Sequence, residues 1–160
     1  MNKLFKFICI CLIVLMQGCK STETTEINNT DTEPKQEETM MEKELKMRIG
    51  ETEVQVTWEE NESVQALKEL VKDKPLSIQM SMYGGFEQVG SIGTSLPRND
   101  RQTTTNSGDI VLYSGNQVVV FYGSNSWAYT RLGHITDKNQ NDMRDLLGNG
   151  DVTITFYVGE

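Results

Sequence analysis

Cysteine is almost absent from this chain: the three present, Cys9, Cys11 and Cys19, all fall within the first nineteen residues. Whatever folds downstream therefore has no disulfide framework and must rest on an apolar core, which its length permits. Histidine is scarcer still. With His134 alone, the chain cannot assemble the His and Cys sets that hold zinc, nor a Cys–His nucleophile pair, so no metal and no cofactor is expected. Positive charge is thin as well. The formal net charge is −8 and the five arginines are scattered from Arg48 to Arg144, which excludes nucleic acid as a partner, because phosphate binding needs clustered Lys and Arg. No apolar run approaches the roughly twenty residues that a membrane-spanning helix requires.

What is present begins with Lys3 and Lys6 ahead of an apolar stretch, Phe7 to Met16, that ends at Gln17-Gly18-Cys19. A basic start, a short apolar run and a small residue before the cut form the layout of a signal peptide. Gly18 directly before Cys19 resembles a bacterial lipobox, with Met16 and Gln17 where Leu and Ala or Ser are usual. Residues 1–18 are read as a lipoprotein signal peptide and Cys19 as the lipidation site. The expected product is exported and lipid-anchored to the cell membrane or envelope, its domain facing outside the cytoplasm. An ordinary secretory signal is the rival reading. Residues 19–44, rich in Glu, Thr, Asn and Gln, cannot bury enough apolar surface to offset ordering entropy and read as a disordered polar stalk.

From Leu45 to Glu160 the pattern changes to short alternating runs separated by turn residues, so one strand-rich domain is expected there. Lys46–Ile49 and Val54–Trp58 read as an opening hairpin. Asn61 is placed to cap a helix that carries Val64, Leu67, Leu70 and Val71 on one face and ends before Pro75. Leu76–Met82 alternates at period two, whereas Tyr83–Ser107 reads as loop or short strand pieces. Asp109–Tyr113 and Gln117–Tyr122 form a hairpin across Ser114-Gly115-Asn116; a strand Tyr129–Ile135, a short helix near Asn141–Leu147 and a strand Val152–Val158 follow. The fold class is mainly β, a closed or nearly closed barrel of roughly eight strands with two helices.

Four segments in order, Ser107-Gly108-Asp109-Ile110-Val111-Leu112-Tyr113, Val118-Val119-Val120-Phe121-Tyr122, Tyr129-Thr130-Arg131-Leu132-Gly133-His134-Ile135 and Gly150-Asp151-Val152-Thr153-Ile154-Thr155-Phe156, resemble the small, divergent bacterial cyclophilin-like domains, which also occur as lipoproteins. The opening hairpin, the helix before Pro75 and Ser95-Leu96-Pro97 extend the resemblance over the whole domain. It implies a cyclophilin-like eight-stranded barrel flanked by helices, with no activity attached by the fold itself. The Phe-His-Arg and Gln-Gly-Gly-Asp-Phe segments of authentic prolyl isomerases are missing. No residue inherits the catalytic arginine by motif; Arg131, Arg98 and Arg101 are the substitutes, and Arg131 has the best-fixed backbone.

Candidate ligand-binding residues follow from side-chain chemistry. Arg131, mid-strand, offers a guanidinium able to grip a carbonyl or carboxylate, or else it packs its stem along the sheet. Alternation places Tyr129, Arg131 and Gly133 on the face opposite Thr130, Leu132 and His134. Gly84-Gly85 turns the chain between Tyr83 and Phe86, exposing both rings or folding one back on the core. Trp127 ends a polar loop as a partner anchor or a lid. His134 is read as structural, Asp109 and Asp151 as turn-closing residues.

Three functions stand open. A peptide or small-ligand binding module leads, followed by a weak peptidyl-prolyl isomerase or foldase for exported proteins and by a structural component of an envelope complex. The sequence sets no oligomeric state.

Overall fold

The computed structural model describes residues 43–160; the expected signal peptide, Cys19 and nearly all of the expected stalk lie outside the described residues. The chain runs β1 (Glu44–Ile49), β2 (Thr52–Val54), β3 (Val56–Trp58), α1 (Glu62–Val71), β4 (Leu76–Tyr83), β5 (Glu87–Ser91), β6 (Arg101–Thr104), β7 (Asp109–Tyr113), β8 (Gln117–Phe121), β9 (Ser126–Ile135), α2 (Gln140–Leu147) and β10 (Val152–Gly159). Antiparallel pairing orders the strands β2-β1-β10-β4-β5-β8-β7-β9-β3, with β6 added outside on β9. The two ends of this order, β2 and β3, are separated by Gln55 alone: β2 pairs with β1 and β3 with β9. The expected second strand of the hairpin is thus broken in two, and its halves bring the sheet nearly full circle. Counted as one interrupted strand, they make the ring eight-stranded. The molecule is a nearly closed barrel with two helices, as the alternation and the resemblance both lead one to expect.

Alternation sets the inside. Met47, Ile49, Ile78, Met80, Ile110, Leu112, Val118, Val120, Ile154 and Phe156 form the interior, joined by Val64, Leu67 and Val71 of α1 and Met143 and Leu147 of α2. Asn61 caps α1 by accepting from Val64 N at 3.0 Å, and its amide donates to Arg131 O at 2.9 Å, tying the helix start to β9. Leu70, assigned to the buried helix face by spacing, is 43% exposed, and Ser63 is buried instead. The Ser63 hydroxyl donates to Pro97 O at 2.7 Å. The helix is therefore rolled toward the Pro97 loop, a tertiary contact that heptad-like spacing does not encode.

β7 and β8 depart from strict alternation, because Val111, Val119 and Phe121 on their outer face are also buried, with Tyr129 of β9, in a second, smaller apolar cluster. Strands covered on both faces read as continuous apolar runs. Elsewhere the outer face is polar: on β4 and β10 it carries the Ser77–Thr155 hydroxyl pair at 2.9 Å and the Gln79–Thr153 bond at 2.8 Å.

One irregularity matters for the site. Ile110 pairs with Gly133 but Val111 pairs with Arg131, so Leu132 is an extra residue in β9, a β-bulge. Leu132 and Gly133 consequently both lie on the inner side. Glycine is required at the second position, since a Cβ there would stand 2.7 Å from Thr57 O. The bulge reverses the phase of alternation, correcting the expectation that His134 points away from Arg131: both reach the same outer-face carboxylate, that of Asp109.

Candidate ligand-binding site

The outer-face cluster is the floor of a groove. Val89, Val119 and Val111 line up across β5, β8 and β7 by register, and the cavity above them, about 390 Å³, is lined by Tyr83, Glu87, Val89, Tyr113, Gln117, Val119, Asn125, Trp127 and Tyr129. Four of these nine carry aromatic rings. Tyr83 and Trp127 stand 67% and 57% exposed at the rim. Tyr129 is buried, its ring edge-on to Phe121 at 5.8 Å and to Tyr113 at 6.1 Å, the orientation that ring quadrupoles favour. Its hydroxyl accepts from the Asn125 amide at 3.1 Å. Asn125 is itself fixed by Thr105, whose backbone and hydroxyl bond to it at 2.8 Å and 3.0 Å.

Glu87 is the unusual member of the lining. It is only 5% exposed, opposite Phe121 in the sheet, and its Oε2 has no hydrogen-bond partner. Burial raises its pKa to about 7, because an apolar wall favours the neutral acid. The Tyr129 hydroxyl is also pushed up, first by burial and then by the nearby Glu87 carboxylate.

Beside the groove lies a different arrangement. Asp109 accepts from Arg131 Nη2 at 2.9 Å, from Arg131 Nη1 at 3.3 Å and from the Asn106 backbone N–H at 2.8 Å, and its Oδ1 lies 2.8 Å from His134 Nδ1. Burial alone would raise its pKa; the Asn106, Arg131 and His134 bonds outweigh that and hold the carboxyl below its usual range. A carboxylate can only accept, so His134 carries its proton on Nδ1. Arg131 also meets Glu59 at 3.3 Å and faces a second, polar depression of about 630 Å³ with Arg98, Arg101 and Thr103.

The structure thus brings Tyr83, Trp127 and Tyr129 to one groove and leaves two candidates outside its lining. Arg131 opens onto the neighbouring depression, its guanidinium engaged by two carboxylates. Phe86 packs half-buried against the outer cluster. The Gly84-Gly85 turn, with φ of +61° and +75°, therefore leaves Tyr83 out and folds Phe86 back. Trp127 belongs to β9 rather than to a loop tip, held opposite Thr103 of β6. Asp109 does close a turn, accepting from Asn106 N, whereas Asp151 accepts from Met82 N and the Ser81 hydroxyl and so ties the start of β10 to β4 rather than closing its own turn. Glu87, Tyr113, Gln117 and Asn125 were not anticipated. For Tyr113 and Gln117 a signal existed, since the unbroken apolar runs of β7 and β8 announce cover on both faces; for Glu87, inside an unpatterned stretch, there was none.

Among the described residues no group of three His, Cys, Asp or Glu side chains is placed to hold a metal ion. The cyclophilin-like family model matches residues 47–157, well over half of the chain. A comparison with curated proteins finds no match.

Proposed function

We propose that this chain, which belongs to the cyclophilin-like family, is an exported lipoprotein whose barrel binds a peptide or small ligand in the outer-face aromatic groove. The observation that carries the binding reading is the groove itself: four aromatic rings and a buried carboxylate oxygen without a partner converge on one concave surface. Ligand sites combine apolar walls with a few convergent polar groups in this way, and a buried polar atom left unpaired in the free protein is costly unless something completes it. Tethering rests on the Met16-Gln17-Gly18-Cys19 segment, and fatty-acid labelling that persists in Cys19→Ala would refute it.

Isomerase catalysis ranks second. A cation held against the twisted amide would speed prolyl rotation, whereas among the described residues no Lys or Arg lines the groove and its donors are neutral ones such as Gln117 and Asn125. The test is a nuclear magnetic resonance screen of short peptides and fragments against the protein and a Tyr83→Ala/Trp127→Ala variant, run beside a coupled isomerisation assay. Ligands whose binding is lost in the variant are expected. Ligands that map elsewhere would remove the groove from the proposal, and robust isomerisation abolished by the variant would put the enzyme reading first.

A further inference from the structure

We infer that the groove selects a protonated alkylamine, seating the ammonium between the Glu87 carboxylate and the faces of Tyr83, Tyr113, Trp127 and Tyr129. This inference rests on the binding reading above and specifies its ligand. Glu87 lines the groove and its Oε2 is a buried acceptor with no partner, so a donor that enters the groove and reaches it completes the bonding of the ionised acid. The groove holds no cation of its own among the described lining residues, so no internal ammonium or guanidinium competes for that oxygen. Electron-rich ring faces attract an ammonium, most strongly where water is excluded, and the valine floor of Val89 and Val119 suits the alkyl stem. A chain of net charge −8 adds a weak long-range pull of the same sign.

Protonation tests the inference. The titratable groups that face Glu87 are Tyr83 from β4, Tyr113 from β7 and Tyr129 from β9, while β8 presents Phe121 and Gln117, which do not titrate. An ammonium binds the carboxylate and not the neutral acid. With Glu87 titrating near 7, affinity should therefore rise by about thirtyfold between about pH 5.5 and 8.5, a range in which the amine itself stays protonated. A ligand that accepted a hydrogen bond from neutral Glu87, such as an amide carbonyl, would show the opposite trend.

The experiment titrates the full-length protein with n-hexylammonium and 1-hexanol, and in parallel with a blocked five-residue peptide carrying one central Lys or norleucine. The readout is the two indole N–H resonances. Trp58 Nε1 donates to Leu45 O away from the groove and reports that the fold is intact, whereas Trp127 reports binding. The expected result is a Trp127 shift with hexylammonium, affinity about tenfold or more below wild type in Glu87→Gln, and unchanged hexanol binding. A Lys peptide binding more tightly than hexylammonium assigns the amine to a polypeptide side chain; equal or weaker binding assigns it to a small molecule. Hexanol matching hexylammonium, or affinity that falls with rising pH, would overturn the amine inference and leave the groove standing. No Trp127 shift with any of the four probes would overturn both.

Discussion

Two carboxylates are buried on the outer face of this barrel, Glu87 at 5% exposure and Asp109 at 2%, and they are treated oppositely. Asp109 is met by a guanidinium, a backbone N–H and an imidazole; Glu87 meets rings, and one of its oxygens meets nothing. At similar burial, its partners hold one acid below its usual pKa range while the other, without them, rises to about 7. The paired acid holds the fold together, because β7, β9 and the Asn106 turn all depend on it. The unpaired acid detracts from stability in the free protein, and such a cost is sustained at sites that complete their bonding with a ligand.

The largest effect should come from breaking the paired acid. Asp109→Ala leaves the Asn106 N–H and His134 without their acceptor and removes one of the two carboxylates on Arg131, so a loss of about 3 kcal/mol is expected in denaturant unfolding. Because the folded-state carboxyl lies below its ordinary value of 3.8, its contribution is complete above that value and disappears as pH falls through the lower, folded-state one. The wild type and the variant should thus converge in acid.

Glu87→Gln should move the other way. The native acid binds its proton more tightly than the unfolded one, so stability is full below the ordinary value of 4.5 and erodes as pH rises toward about 7. The glutamine mimics the neutral acid at every pH. The variant should match wild type near the acid end of that window and exceed it by about 3 kcal/mol at pH 8. Equal stability at pH 8 would show that Glu87 finds a partner in solution.

Arg131 sharpens the contrast with a smaller change. Lysine keeps the charge but not the fork that meets both Asp109 oxygens, and about 1 kcal/mol should be lost, a modest figure because the side chain is partly exposed and screened. Ligand affinity in the groove should not change, since Arg131 does not line it.

The barrel was legible because period-two alternation in β1, β4 and β10 and the hairpin at Ser114-Gly115-Asn116 are local signals, each backed by the order of the segments. Of the candidate groove, Tyr83 and Trp127 at its rim and Tyr129 in its wall were already candidates on side-chain chemistry. The bulge at Leu132 was not, since nothing in Arg131-Leu132-Gly133-His134 shows which residue falls out of register until β7 is set beside it. Assigning His134 to the wrong face hid its bond to Asp109 and left Arg131 to look uncommitted. Glu87 was hidden differently: a lone acid at the start of a short strand reads as solvent-exposed, and only the closing of β5 against β8 buries it.

The smallest expected change in stability belongs to the residue that offers the most ring surface. Trp127 sits 57% exposed on β9, opposite Thr103 of the peripheral strand β6, and it is not a member of either buried cluster. Removing the indole opens no internal cavity, so Trp127→Ala should cost no more than about 0.5 kcal/mol in unfolding. The same truncation takes away one of the four rings around the groove, and ligand affinity should fall by about tenfold. A large loss of stability would mean that the indole braces β6 and is part of the fold. An unchanged fold with weakened binding would set Trp127 beside Glu87, as a group whose exposure is explained by what it holds.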